Sequence, residues 1–445
     1  MKILKDIRFY KFLIPSLVGA ICFVVPVAQE GNLTIPIAIV ANRLLALMGD
    51  HALTVIWGLI SASAVLTLIY RTMKPDFLAK DPKLAGLFGV KGFWFWVRMV
   101  GFLFANMIYF GIGPEFIIGG ATGGLVAQDL LPILVCVFLL AGVLLALLLN
   151  YGLLDLCGAL MIRLMRPVFN LPGRSALDCV ASWLGDGSIG VLLTSKQYEE
   201  GFYSKREATV IATTFSAVSI TFSLVVISQV GLAHMFLPFY LTVTGAGVLA
   251  AIVVPKLPPL SRIPDTYCTE TPCKEDVPEG MTPLRYGMEM ALKKAENAPS
   301  VRSFFREGFE NVLEMWFGTL PVILAIGTTA LIVAEFTPVF EILGIPFIPL
   351  YQLLQIPEAE LASQTVIVGF ADMFLPSVIA SAIESELTRF LVAATSVTQL
   401  IYMSEIGSII MGSKIPVSMG KLFIIYIERT IVTLPVIALM AHWIF

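Results

Sequence analysis

Asp186 and Asp372 are acidic residues set at the breaks of two otherwise apolar segments, Gly-Asp-Gly at 185 to 187 and Phe-Ala-Asp-Met-Phe-Leu-Pro at 370 to 376. A carboxylate in such a setting could bind Na+ or carry a proton, and ionisable residues inside a membrane are functional candidates by default. Ser188, Gln364 and Ser377 are the polar companions in the same segments. The plainer alternative is an aspartate that caps the half-helix after it, and the two roles are compatible.

A second polar set follows each break. The first holds Thr213, Thr214, Ser216, Ser219, Thr221 and Ser223; the second holds Thr395, Ser396, Thr398, Gln399, Ser404 and Glu405. Hydroxyls and amides at mid-depth can line a wet path for a small polar or anionic solute. The bland alternative is interhelical hydrogen bonding, each contact below about 2 kcal/mol. Gln399 is too large for plain small-residue packing, and the symmetric recurrence favours a pathway. Glu405 needs a partner or a proton at its depth. Glu428 and Arg429 are expected to serve a structural ion pair, with Arg429 facing an acid on a neighbouring helix. Asn311 and Glu314 either line an inner vestibule or are simply solvated.

Other chemistries find no support. GIGPEF and GGATGG are not phosphate loops, because no strand precedes them and no GKS or GKT follows. Cys268 and Cys273 have the wrong spacing for zinc. No nucleophile, base and orienter constellation assembles, so an enzyme is not expected, nor a cofactor beyond a bound Na+.

These residues must be positioned by membrane helices. The chain of 445 residues is 57% hydrophobic and only 14% charged, with mean hydropathy +0.87. A soluble domain carries roughly 25% charged residues. Leu130 to Leu149 contains no charge, and a run of that length spans a hydrocarbon core of roughly 30 Å as a helix. Nine spans are read, at 12 to 28, 51 to 70, 97 to 118, 130 to 151, 207 to 230, 236 to 254, 309 to 335, 388 to 411 and 420 to 441. The first resembles a secretory leader and is read as a retained helix. All 29 Lys and Arg except Arg43, Arg389 and Arg429 then fall in segments on one side. By the positive-inside rule the N-terminus is cytoplasmic and the C-terminus external, in a bacterial inner membrane. A net charge of −3 gives no reason to expect a nucleic acid polymer as partner.

Two segments, 172 to 197 and 356 to 383, are too interrupted to span and have both flanks on one side. Each reads as a re-entrant helical hairpin, tolerated at membrane depth only where protein or a water-filled cavity surrounds it; an interfacial helix pair is the alternative. Helix, amphipathic connector, hairpin and two spans recur in that order, the second time upside down, a design of many secondary transporters. The expected fold is thus an all-α polytopic membrane protein with an inverted repeat. Its units are scaffold helices at 1 to 128, a first repeat at 129 to 254, a cytoplasmic loop with an amphipathic helix at 255 to 307, and a second repeat at 308 to 445.

LPGRSALDCVASWLGDGSIGVLLTSKQYEEGFYSKREATVIATTFSAVS (171 to 219) resembles the first Gate, or nucleoside-recognition, segment of the YjiH-like membrane proteins. GFADMFLPSV (369 to 378), TRFLVAATSVTQLIYMSEIG (388 to 407) and ERTIVTLP (428 to 435) resemble the second, and FLIPSLVGA extends the likeness to the N-terminus. Gate domains are in turn similar to the core of concentrative nucleoside transporters, which implies re-entrant hairpins and a homo-oligomer, dimer or trimer. The leading expectation is a Na+- or H+-coupled carrier of a small polar or anionic solute, nucleoside-like in class, surrounded by membrane lipid. The alternatives are a passive channel, a lipid-handling protein, or a non-transporting Gate-domain assembly factor.

Overall fold

The computed structural model describes residues 7–23, 25, 27–29, 32–76, 80–90, 92–184, 187–216, 218, 220–269 and 281–445. It is helical apart from one small antiparallel hairpin, Val27–Gln29 with Asn32–Thr34, in which Ala28 faces Leu33. Among the described residues six helical runs are long and apolar enough to cross a membrane: Pro36–Met73, Phe93–Phe110, Leu125–Leu149, Ala233–Lys256, Val301–Phe336 and Met419–Ile444. Each overlaps one of the nine expected spans. The expected span at 12 to 28 is a helix of 17 residues, α1 (Ile7–Phe23), with Pro15 inside it.

The N-terminal part contains α2 (Pro36–Met48), α3 (Ala52–Met73), α4 (Pro82–Phe88) and α5 (Phe93–Phe110). Next comes α6 (Leu131–Leu149), whose unbroken apolar sequence is buried over most of its length. α7 (Leu153–Phe169) is the amphipathic connector; it stops at Asn170, which takes the left-handed conformation (φ 55) that Asn tolerates better than most residues. A helix pair follows, α8 (Ser175–Leu184) and α9 (Gly187–Glu199), then α10 (Lys205–Val210), α11 (Ile220–Gln229) and α12 (Phe236–Val253). The loop helix α13 (Pro283–Glu296) packs on α7 and α1, as its amphipathic sequence leads one to expect.

The C-terminal part presents a similar order of elements. α14 (Val301–Glu314) leads into α15 (Leu320–Phe336); α16 (Val339–Gly344) and α17 (Ile348–Leu353) form the connector. The helix pair is α18 (Ala359–Ala371) and α19 (Leu375–Ala380), followed by α20 (Glu386–Gln399), α21 (Ile406–Gly412) and the long α22 (Met419–Ile444). Both series enter their first long helix through one turn of π-helix, Leu125–Leu130 and Met315–Thr319, and each turn is followed by Leu-Pro, at 131–132 and 320–321. A proline cannot donate to the carbonyl four residues back and its ring crowds that carbonyl, and the widened turn relieves both problems.

One expectation is corrected here. Segments 207–230 and 388–411, expected from hydropathy to be unbroken spans, are both interrupted. The first passes through a π turn, Ile211–Phe215, and leaves the helix at Ser216 before α11; the second leaves it at Leu400 (φ 61) and resumes at Ile406. Both interruptions sit among buried neighbours, the only setting in which open backbone is tolerated at such depth. The core forms two large clusters, one centred on α6 and α15, the other on α18, α20 and α22.

Candidate functional site

The first helix pair is fastened at its base by a buried polar network. Asp178 on α8 accepts from Thr194 (2.9 Å) and Gln197 (2.8 Å) on α9 and from the Tyr203 hydroxyl (3.0 Å). Arg174 donates to Gln197 Oε1 (3.3 Å) and to Asp155 on α7 (2.8 Å), while its guanidinium lies over the Phe202 ring. Arg174 and Asp178 are at most 2% exposed, so each charge depends on these partners. Gly190 lets the two helices meet: a Cβ there would sit 2.7 Å from the Ser182 Cβ.

In the second pair, Asp372 sits in extended backbone (φ −152) between α18 and α19. Its Oδ1 accepts from the backbone N–H of Phe374 (2.8 Å) and Leu375 (3.1 Å), and its Oδ2 accepts from Ser404 Oγ (2.7 Å). Asp372 is therefore a cap for the short α19 that also ties this pair to the second helix break. Backbone bonds reinforce the tie: Met403 N donates to Phe370 O and Ser404 N to Ala371 O, both at 2.8 Å.

The two pairs and the two breaks converge. Ser182 of α8 shares a 2.5 Å hydrogen bond with Ser216 at the first break, and a Cβ on Gly187 would meet the Ile406 side chain at 2.8 Å, just past the second break. Phe374 packs edge-on against Phe222 of α11, centroids 6.3 Å apart. At the convergence lies a cavity of about 60 Å³ lined by Gly187, Ser216, Met373, Leu400, Tyr402 and Glu405 among others. The Tyr402 hydroxyl donates to Glu405 Oε2 (3.2 Å). Such a volume suits an ion or a few waters, far below the roughly 300 to 1,000 Å³ of small-molecule pockets.

The Gate family model, described as nucleoside recognition, matches residues 131–233, which hold the first helix pair and first break. An uncharacterized protein of Alkalihalophilus pseudofirmus is 51% identical over 434 residues, covering 97% of this chain and 94% of the relative. The chain is a Gate-domain membrane protein. A solved structure of a CNTnw double variant in an outward-facing state shares 12% identity and covers 91% of the Gate protein and 97% of its own chain, at a TM-score of 0.41.

The Gate protein brings only part of the expected site together. Ser216 and Glu405 line the central cavity, and Ser188 is buried in the first turn of α9 beside it. Asp186 lies outside the described residues, as does Ser219. Thr213 donates to Thr209 O (2.6 Å), Ser377 to Phe374 O (2.6 Å), Ser396 to Ala393 O (2.9 Å) and Thr398 to Thr395 O (2.9 Å), each satisfied on its own helix or turn. Gln399 is turned away: its Nε2 donates to Val366 O (3.1 Å) and Thr430 Oγ1 (2.9 Å), stitching α20 to α18 and α22. Thr395 Oγ1 is buried with no partner among the described residues, and half-buried Gln364 lines neither junction cavity.

The reading of Glu428 and Arg429 as members of an ion pair is overturned. Arg429 donates through Nη1 to Thr214 O (2.8 Å) and through Nε to Thr398 O, the carbonyls freed where the two helices break. A cation at two helix C-terminal ends is favoured by the partial negative charge there. Glu428 points elsewhere, its buried Oε2 without a partner among the described residues. A sequence cannot show this arrangement, since backbone carbonyls leave no mark in it. The Arg174 network was missed for a different reason: its members are spread from 155 to 203.

Glu314 and Asn311 line a cavity of about 520 Å³ that adjoins another of about 580 Å³, the two sharing Gly86, Leu87, Lys196, Glu199, Glu314 and Lys414. Lys196 at the foot of α9 pairs with Glu314 (2.8 Å) and Glu199 (3.3 Å), and Lys414 after α21 approaches Glu314 at 3.7 Å. Glu199 is held above the usual carboxylate range by burial, which outweighs the neighbouring lysine. Asn311 donates to Gly142 O (3.4 Å).

Proposed function

We propose that this Gate protein is a secondary carrier of a small polar or anionic solute, nucleoside-like in class, coupled to Na+ or H+ and working by alternating access. The observation that carries this reading is the convergence of two helix pairs on two interrupted helices around a small cavity with Glu405 on its wall. Glu405 and the hydroxyls of Ser216 and Tyr402 would hold the ion or proton, and Asp186 would complete the site from the first tip. Carbonyls at broken helix ends favour cations, and the N-terminus of a half-helix favours an anionic group. Outward displacement of a helix pair would enlarge the cavity to admit the solute. The description of the matched domain as nucleoside recognition supports the solute class.

In this reading the helix pairs are re-entrant hairpins at 172 to 197 and 356 to 383, in repeats at 129 to 254 and 308 to 445. The first 128 residues are a scaffold supporting a homo-oligomer. The membrane is the bacterial cytoplasmic membrane, with the N-terminus inside and the large cavities around Lys196 and Glu314 forming the inner vestibule. Uptake of labelled uridine and of anionic analogues into proteoliposomes, under imposed Na+ or proton gradients, tests the proposal. Gradient-dependent uptake that Glu405→Gln reduces at least tenfold is expected. Uptake that is absent under both gradients across the panel, or indifferent to that change, overturns it.

A further inference from the structure

A second cavity at the junction faces another way. It encloses about 230 Å³ between α8, the first break and α12, and shares only Ser216, Val218 and Leu400 with the central cavity. Its lining is chiefly apolar and carries no carboxylate among the described residues. Thr244, Gly247 and Val248 of α12 form its outer edge, where Val248 and the neighbouring Leu241 are exposed. The helix α12 belongs to a run long and apolar enough to cross a membrane, so this edge meets lipid.

At the inner end stands Arg429, 2% exposed. Two of its nitrogens donate to the carbonyls of Thr214 and Thr398, but Nη2 has no partner, and no carboxylate pairs with the guanidinium, among the described residues. Carbonyl dipoles solvate a cation without neutralising it, and a buried charge wants a counter-charge. The cavity therefore offers an apolar channel from the lipid that ends on an unneutralised guanidinium, and guanidinium groups bind carboxylates in forked geometry.

We infer that this lateral cavity binds a single-chain amphiphile with a monoanionic carboxylate head. The head sits on Arg429 and the tail leaves past Gly247 into the bilayer. A volume of about 230 Å³ suits one chain rather than the two of a phospholipid. This site is distinct from the central cavity and does not depend on the transport reading.

The test uses the full chain in nanodiscs of neutral phosphatidylcholine, with cis-parinarate as a fluorescent single-chain carboxylate. Energy transfer to the probe should rise to saturation, and the share contributed by Trp183, which lines the cavity, should disappear in Trp183→Phe. Decanoate should displace the probe and decanol should not. Gly247 has open space where a Cβ would stand, so Gly247→Leu fills the mouth without disturbing the fold. Both Gly247→Leu and Arg429→Gln should weaken binding at least tenfold. If Arg429→Gln fails to fold, Gly247→Leu and the decanol comparison decide. A signal that rises linearly without saturation, undiminished affinity in Gly247→Leu, or displacement by decanol equal to that by decanoate overturns the inference. Equal displacement by phosphatidylglycerol overturns the single-chain assignment.

Discussion

Asp372 accepts three hydrogen bonds, two from the backbone that begins α19 and one from Ser404. A cap of this kind is worth about 1 kcal/mol, up to about 2. Asp372→Ala is therefore expected to lower thermal stability by that amount, whereas Asp372→Asn keeps an acceptor and stays near wild type; equal losses in a melting series would remove the capping role. Gly369 makes a sharper case. A Cβ there would lie 2.3 Å from Gln399 Oε1 and 2.6 Å from the Tyr426 hydroxyl, itself bonded to Val366 O. Overpacking of this sort typically costs about 1 to 3 kcal/mol. Gly369→Ala should destabilise accordingly, and adding Gln399→Ala should recover part of the loss in a double-mutant cycle. At this scale the sequence identified which residues are polar but not where they point. Thr213, Ser396 and Thr398 return their hydroxyls to their own helices, a choice that leaves the composition of the segment unchanged.

The helix pairs differ in how they are held. The first is a unit closed by Asp178, Arg174, Gln197, Thr194 and Tyr203, and Asp155 fastens it to α7. Removing Asp178 leaves three buried donors, on Thr194, Gln197 and Tyr203, without their acceptor, at about 1 to 3 kcal/mol for each group left unpaired. Asp178→Ala is thus expected to lower the melting temperature far more than Asp372→Ala does; a smaller effect would mean the network is not what closes the pair. The second pair is bound to its break mainly through backbone groups and Ser404, so substitutions reach it less readily. Both pairs were legible as interrupted apolar stretches with polar tips, and α13 as an amphipathic run. The two helix breaks were not, because their hydropathy matches that of an intact span. The hydroxyl clusters that marked these segments as unusual were a trace of the breaks, read as a pathway.

The two halves of the chain meet chiefly where α6 packs on α14 and α12 on α22, and the charged cavities around Lys196, Glu314 and Lys414 lie beside α14. Lysine and arginine placement in the sequence assigns these cavities to the cytoplasmic side, an orientation that chemical labelling can decide. Gly86 borders both charged cavities and has room for a side chain. In a cysteine-free background, Gly86→Cys should react with a membrane-impermeant thiol reagent in inside-out vesicles and resist it in right-side-out ones; the reverse pattern would invert the topology. The sequence suggests a recurring order of helix, connector, broken pair and two further helices, although the lengths differ: α9 has 13 residues where α19 has 6. What stayed hidden is the contact between the halves, because Arg429 joins the two breaks through carbonyls 184 residues apart, at Thr214 and Thr398.

Arg429 closes one end of the lateral cavity, and a native thiol stands on its wall. Cys179 is free and half-buried there. Burial disfavours its thiolate, so alkylation by the lipid-soluble N-ethylmaleimide should be slow in the vacant protein and slower when the cavity is filled, and a sulfonated maleimide should not react. Occupied and vacant molecules would then alkylate at different speeds, so the protein carries its own gauge of occupancy, readable by mass spectrometry on intact cells without any engineered label.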